Sequence, residues 1–378
     1  QKRLWVLINQ SNVNNMPKTT CIYRISLIVT IVIGIILALI FPLFNDGGQE
    51  LSSRKRQIYW SPLVSESTVY YGSEKGYLFA VDSRTGKEKW KFKAEGGIKS
   101  TPAVSMGMVY FGSWDSYIYA VESNTGKIIW KIKTDGQVNS SPKVSDGVVY
   151  FGSNDCNLYA VDCKSGEIKW KFWTGYLANP SPEVIDNMIY IGSHEGYLYG
   201  VDSRTGMIRW EFRVNVEGDI KSINSSPVVS DGIVYFGSND GNLYAVDINT
   251  KKILWKYETG RWACLSFVVF EGISYLGSAD GKIYALDAKT GRVKWEFKTD
   301  SWVETTPVVA NGIVHFGSVN GHLFALNSRT GEEEWKFEAD FQFYTSPVVS
   351  KDTVIIVGGE SNLYALDIQT GKEIWTHL

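Results

Sequence analysis

Tryptophan stands at Trp90, Trp130, Trp170, Trp210, Trp255, Trp295, Trp335 and Trp375, in steps of 40, 40, 40, 45, 40, 40 and 40 residues. A period of that length constrains a fold more than any local propensity, because each copy must be one supersecondary unit that buries its face on its neighbours. Eight copies fill residues 57–378, with a single five-residue insertion around Val214 to Asp219. A Ser/Thr-Pro pair leads most copies, from Ser61-Pro62 to Ser346-Pro347, and the sixth carries Ser266-Phe267 instead.

The fifth copy shows what one unit builds. Ser-Pro-Val-Val runs into an Asp231-Gly232 turn, then Ile-Val-Tyr-Phe-Gly-Ser, an Asn239-Asp240-Gly241 turn, Asn-Leu-Tyr-Ala-Val-Asp, and a longer turn before Lys-Ile-Leu-Trp255. Asp-Gly and Asn-Gly links between β-branched and aromatic runs are hairpin signals, since these residues accept positive φ. Each copy therefore reads as a meander of four antiparallel strands, A to D, and no part of residues 57–378 shows a helical period of adequate length. A sheet of about 40 residues cannot cover both faces alone, and a radial ring of such sheets is a propeller. The expected fold is all-β, an eight-bladed β-propeller of four-stranded blades preceded by one N-terminal transmembrane helix. The eight tryptophans are expected to wedge between adjacent blades, with each indole N–H seeking a partner. The turns before them, such as Asp202 to Gly206 and Asp287 to Gly291, are stapled by Asp and relieved by Gly at positive φ. In the fifth copy Lys251 takes the place of that glycine.

The pattern at Ala80, Asp82, Thr85, Gly86, Lys87 and Trp90 resembles the repeat of pyrroloquinoline-quinone (PQQ) propellers, and the resemblance covers residues 57–378. It implies an eight-bladed ring whose tryptophans dock blade to blade. For function it divides, because the family holds quinoprotein dehydrogenases and also non-catalytic scaffolds such as the propeller lipoprotein of the outer-membrane barrel assembly machinery. The quinoproteins are expected to hold PQQ on the channel axis beside calcium, with carboxylate ligands, an Asp base and commonly adjacent cysteines. This chain has no adjacent cysteines, and Glu304 alone among its inner-ring positions is a carboxylate.

Residues 25–44 carry no charge, and about 20 residues at about 1.5 Å each span roughly 30 Å of hydrocarbon. An uncleaved signal anchor is expected, since no small-residue cleavage site precedes Asn45-Asp46-Gly47-Gly48. Lys18 and Arg24 before the span and Arg54, Lys55 and Arg56 after it leave the positive-inside count open. The short N-terminal flank (residues 1–24) and the acidic pair Asp46 and Glu50 favour a single-pass protein of the cell membrane with its propeller on the extracytoplasmic side. Residues 45–56 read as a tether. Met16 fits a start, which would leave residues 1–15 outside the native chain.

The chain of 378 residues is 44% hydrophobic and 14% aromatic, enough for a large core, and its net charge of −2 leaves no footprint for nucleic acid. Cys156 and Cys163 bound one strand C, roughly 23 Å apart at about 3.3 Å per residue, beyond the reach of a disulfide. Free thiols are expected, Cys21 and Cys264 included. His315 and His322 flank one hairpin and could share a metal, but no carboxylate or thiol stands at ligand spacing, so no metal site is expected. No catalytic motif is visible.

Positions kept in every copy serve the blade, and varied ones are free for other work. The D–A links vary most. Three residues before each Pro (or Phe267) stand Tyr59, Lys99, Asn139, Asn179, Asn224, Cys264, Glu304 and Tyr344. They are expected to ring the channel mouth, with Trp262 and Trp302 beside them and Phe341, Phe343 and Tyr344 forming an aromatic patch. Such patches mark contact surfaces. The binding face assigned to Lys99, Asn139, Asn179, Asn224, Trp262, Trp302, Glu304 and Tyr344 points to a protein or peptide partner and a monomeric propeller without cofactor. The alternative is a PQQ-dependent dehydrogenase, and a sensory domain is a third class.

Overall fold

The computed structural model describes residues 61–175, 180–214, 222–259, 267–359 and 362–377. The expected span 25–44, its flank and the tether 45–56 lie outside the described residues, as do Tyr59, Asn179, Trp262 and Cys264. Alternating β-branched and aromatic runs form 32 strands grouped in eight sheets, each of four consecutive antiparallel strands in the order A-B-C-D. In blade 1 these are Leu63–Ser65, Thr68–Gly72, Tyr77–Asp82 and Glu88–Lys93. The A–B turn of blade 5 has Asp231 at φ 51° and Gly232 at φ 74°, the I′ geometry whose twist matches the strands it joins. Blade 8 draws its four described strands, Val348–Ser350, Thr353–Gly358, Asn362–Asp367 and Glu373–His377, from the C-terminal segment.

The core is divided among the seams. Eight apolar clusters each join two neighbouring blades, the last uniting Val69 and Val81 of blade 1 with Ile355, Val357 and Leu363 of blade 8. At each seam a strand-D tryptophan lies against the C–D turn of the next blade. Trp90 Nε1 donates to the Ser123 carbonyl at 2.9 Å and Trp295 Nε1 to the Ser328 carbonyl at 3.0 Å. Trp130, Trp170, Trp210, Trp255 and Trp335 donate to Cys163, Ser203, Ile248, Ala288 and Ile368 at 2.7–3.1 Å. Trp375 closes the ring against Gly86 of blade 1, but its buried Nε1 finds no partner. The turn glycine is needed for two reasons: Gly126 sits at φ 70°, and a Cβ there would come within 2.5 Å of the Trp90 ring. Within the turn, the backbone N–H of Ser165 is the first of the contacts that pull the Asp162 carboxyl down to about 2.

The Ser/Thr-Pro pairs, repeated without evident purpose in the linear chain, make a belt around the channel. Thr101 Oγ1 accepts the Ser61 N–H at 3.0 Å, Ser141 Oγ that of Thr101 at 2.9 Å, Ser181 Oγ that of Ser141 at 2.8 Å, and Ser226 Oγ that of Ser181 at 3.1 Å. Ser346 takes the N–H of Thr306, and Ser61 takes that of Ser346 at 3.1 Å across the closure. Proline follows well, because it fixes φ and has no N–H to satisfy.

Cys156 and Cys163 are free thiols. The hairpin does not bring His315 and His322 together. Strand register sets His315 opposite Ala325 and Gly317 opposite Leu323, which puts the two imidazoles on opposite faces of blade 7. Among the described residues no three His, Cys, Asp or Glu side chains converge as a metal site.

Candidate binding rim at the channel mouth

Each D–A link threads between the B–C turn of the blade it leaves and that of the blade it enters. Ile98, Val138, Ile223 and Val303 donate their N–H to the carbonyls of Ser73, Ser113, Ser193 and Ser278 behind them at 3.0–3.1 Å. The carbonyls of Gly97, Gln137, Ser222 and Trp302 accept the N–H of Trp114, Asn154, Asn239 and Val319 ahead of them at 2.9 Å. Links and B–C turns therefore share one face. Aspartates reinforce the join: Asp115 Oδ2 accepts the Tyr119 hydroxyl at 2.7 Å and the Glu95 N–H at 3.1 Å, and Asp155 repeats this with Tyr159 and Asp135. Burial first, and then the Asp115 carboxylate, pushes the Tyr119 phenol well above its ordinary value.

This weave decides which link side chains reach solvent. Ile98, Val138, Ile223 and Val303 are buried plugs above strand-B glycines. Phe343 occupies the same place over Gly317 and is fully buried. The expected aromatic patch is thereby corrected: Tyr344 is also buried, its hydroxyl 2.5 Å from Gln342 Oε1, and Phe341 packs on Tyr364 at 4.8 Å. Trp302 stays 51% exposed. Lys99 is a second correction, since it does not offer an open charge to a partner. Its ammonium lies 3.1 Å from Glu74 and 3.6 Å over the Trp114 ring, with the side chain only 12% exposed.

The mouth positions come in pairs 15 residues apart, a link residue beside the B–C turn that follows it: Lys99 with Trp114, Asn139 with Asn154, Asn224 with Asn239, and Glu304 with Val319. Asn224 Nδ2 donates to Asn239 Oδ1 at 3.1 Å, and Asn239 reaches Ser222 Oγ. The Oδ1 atoms of Asn139, Asn154 and Asn224 are buried without a donor. Burial lowers the pKa of His194, the turn residue of blade 4. Sequence reasoning missed the turn partners Glu74, Trp114, Asn154, His194 and Asn239, although comparison of the copies at that position shows them varying as freely as the links. It also missed Trp173, 68% exposed at the D–A end of strand Ile168–Trp173, where other copies carry charges such as Lys133 and Lys298.

These groups do not suit PQQ with calcium. A charged quinone and a divalent cation need several converging cations and carboxylates. At the described mouth Glu74 is already engaged by Lys99, Glu304 is the other carboxylate among the paired positions, and the remaining side chains are mostly amides and aromatics.

A family model described as outer membrane protein assembly factor BamB matches residues 43–124, 115–261 and 252–378. No curated protein matches the sequence. Among solved structures, BamB from Moraxella catarrhalis is similar at 20% identity and a TM-score of 0.67, over 85% of this chain and 95% of that one. The computationally designed Ika8 protein is similar at 19% identity and a TM-score of 0.72, over 85% of this chain and 100% of that one. The quinohemoprotein alcohol dehydrogenase from Comamonas testosteroni is similar at 14% identity and a TM-score of 0.67, over 84% of this chain and 73% of that one. At these identities the solved structures share the eight-bladed fold alone. The family model, by contrast, spans every blade, and the chain belongs to the PQQ-repeat propeller family described by assembly factor BamB.

Proposed function

We propose that this propeller is a non-catalytic scaffold of the cell envelope, anchored through residues 25–44 and holding a protein partner on its D–A face. The family description as an assembly factor supports a scaffold as the kind of protein. The observation that carries the reading is the pair of exposed tryptophans, Trp173 and Trp302, on the one face whose side chains vary from copy to copy. Exposed indoles combine large apolar area with a polar tip and commonly anchor protein contacts.

A photo-crosslinking residue placed at 302 or 173 in the membrane-bound full chain tests this. Discrete adducts with one envelope protein are expected, with none from Met106 on the A–B face. Adducts from position 106 alone would move the site to the opposite face. High-salt extraction tests the anchor: the full chain should stay with membranes, and a chain lacking residues 1–50 should be released. Calorimetry with PQQ and calcium that returned a one-to-one, submicromolar isotherm would replace the scaffold with the quinoprotein reading.

A further inference from the structure

The seam between blades 4 and 5 departs from the others in two places: its D–A link carries the five-residue insertion, of which only Val214 is described, and its C–D turn lacks the repeat's glycine. Elsewhere the C–D turn ends in glycine, and a Cβ built there would lie 2.5–3.0 Å from the docking indole. In blade 5 Lys251 holds the same left-handed conformation, φ 57°, with a side chain attached. A non-glycine residue in that region is strained, and such strain persists where the surroundings or a function maintain it. The indole of Trp210 is turned at this same seam. It meets Tyr190 edge-on at 74°, where the equivalent pairs of five other seams are tilted by 37–50°, and it stacks on Phe212 at 21°.

At this seam lies a groove of about 660 Å³, with Phe212, Tyr244 and Trp255 among its apolar lining and Arg213, Lys251, Lys252 and Lys256 along it. Among the described residues no carboxylate lines the groove. In other blades the cation at the position of Leu254 pairs with the turn aspartate, Lys169 with Asp162, Arg209 with Asp202 and Lys294 with Asp287, and the blade 3 equivalent of Lys256, Lys171, lies over the Tyr159 ring at 4.7 Å. In blade 5 Leu254 replaces the aspartate-pairing cation, and among the described residues none of the three groove lysines has an ion pair.

We propose that this groove binds an extended acidic peptide segment of a protein partner, as a site separate from the mouth. Three observations favour that occupant. Lys251 and Lys252 sit together at one end of the groove and Lys256 stands four residues further on, about 13 Å away at about 3.3 Å per residue. That spacing suits carboxylates at alternate positions of an extended chain and not one phosphate. The strand Ile253–Glu258 is the outermost of its sheet, so one row of its N–H and C=O groups is open to an added strand. The groove also has an apolar lining, Phe212, Val214, Tyr244, Ile253 and Trp255, suited to the intervening side chains.

The test is fluorescence anisotropy of the full chain in detergent with a short labelled peptide of alternating glutamate and valine. Binding should weaken about tenfold or more in the double variant Lys252→Gln, Lys256→Gln, and also in raised salt. The same charge removal in blade 3, at Lys169 and Lys171, should leave binding unchanged. Lys251→Gly, which restores the repeat's own residue, should reseat Trp210, raise the melting temperature and abolish peptide binding. The proposal fails if the double variant binds as tightly as the parent with an unchanged melting curve. It fails equally if Lys251→Gly binds undiminished, or if phosphatidylglycerol vesicles and not the peptide depend on the lysines. Crosslinking at Trp302 is independent of every one of these results, so the mouth and the groove stand or fall separately.

Discussion

The seam between blades 2 and 3 and the seam between blades 7 and 8 are built on one plan with one atom group exchanged. In the first, Trp130 Nε1 at 2.9 Å and the Tyr110 hydroxyl at 3.3 Å both donate to the Cys163 carbonyl. In the second, Trp335 Nε1 keeps its bond to the Ile368 carbonyl at 2.9 Å, but His315 stands where Tyr110 stood. His315 is fully buried 5.5 Å from the Trp335 ring, and neither of its ring nitrogens has a partner. A tyrosine reaches the carbonyl across the seam, and an imidazole on the same backbone falls short. The indole therefore holds the seam by itself, and the histidine adds volume at the cost of a desolvated polar ring.

Removing the shared element gives the largest expected effect. Trp335→Ala and Trp130→Ala should each cost about 3–5 kcal/mol by opening a cavity between blades, read as lowered midpoints in chemical denaturation. If Trp130→Ala proved nearly neutral while Trp335→Ala did not, the tyrosine bond and not the indole would hold the standard seam.

Acid should separate the two seams next. Burial holds His315 down to about 4 from its ordinary 6.5. Between those values the unfolded chain binds a proton that the folded chain refuses, so stability rises with pH and is lost progressively from pH 6.5 down to about 4. A shift of this size is worth about 3 kcal/mol. His315→Phe should flatten melting temperature against pH in that window, and an unchanged slope would mean that the imidazole is not desolvated. Below it, the turn carboxylates that are held low in the folded state, Asp82 and Asp162 among them, lose their stabilising contacts in parent and variant alike.

Restoring or deleting the hydroxyl gives smaller effects. His315→Tyr should stabilise the protein by about 1 kcal/mol or more through a bond to Ile368, and Tyr110→Phe should cost about 1 kcal/mol, both by denaturant titration. Equal melting temperatures for all three proteins would remove the hydroxyl from the account. The smallest effect belongs to a residue outside both seams: Trp302→Ala should alter stability by no more than about 0.5 kcal/mol while weakening partner crosslinking at the rim.

The blade number, the strand order within a blade and the tryptophan seams are all written in the 40-residue period, because each depends on local turn chemistry repeated eight times. Even the exceptional residues, Lys251 and His315, show as breaks in that period. Their consequences do not show there. The rotation of Trp210, the groove beside it and the orphaned imidazole each arise where two blades meet, between residues some 20 to 60 positions apart. The mouth divides in the same way. Variation among the copies pointed to the D–A links, but neighbouring residues of one link, Phe341 to Tyr344, were indistinguishable from Trp302 as aromatic side chains on a loop. The weave of link and B–C turn buries Phe343 above Gly317, leaves Trp302 in solvent and closes Lys99 between Glu74 and Trp114. A repeating chain can encode which surfaces come together through its period. Which individual atoms are left exposed, paired or stranded is settled by how closely the surfaces meet.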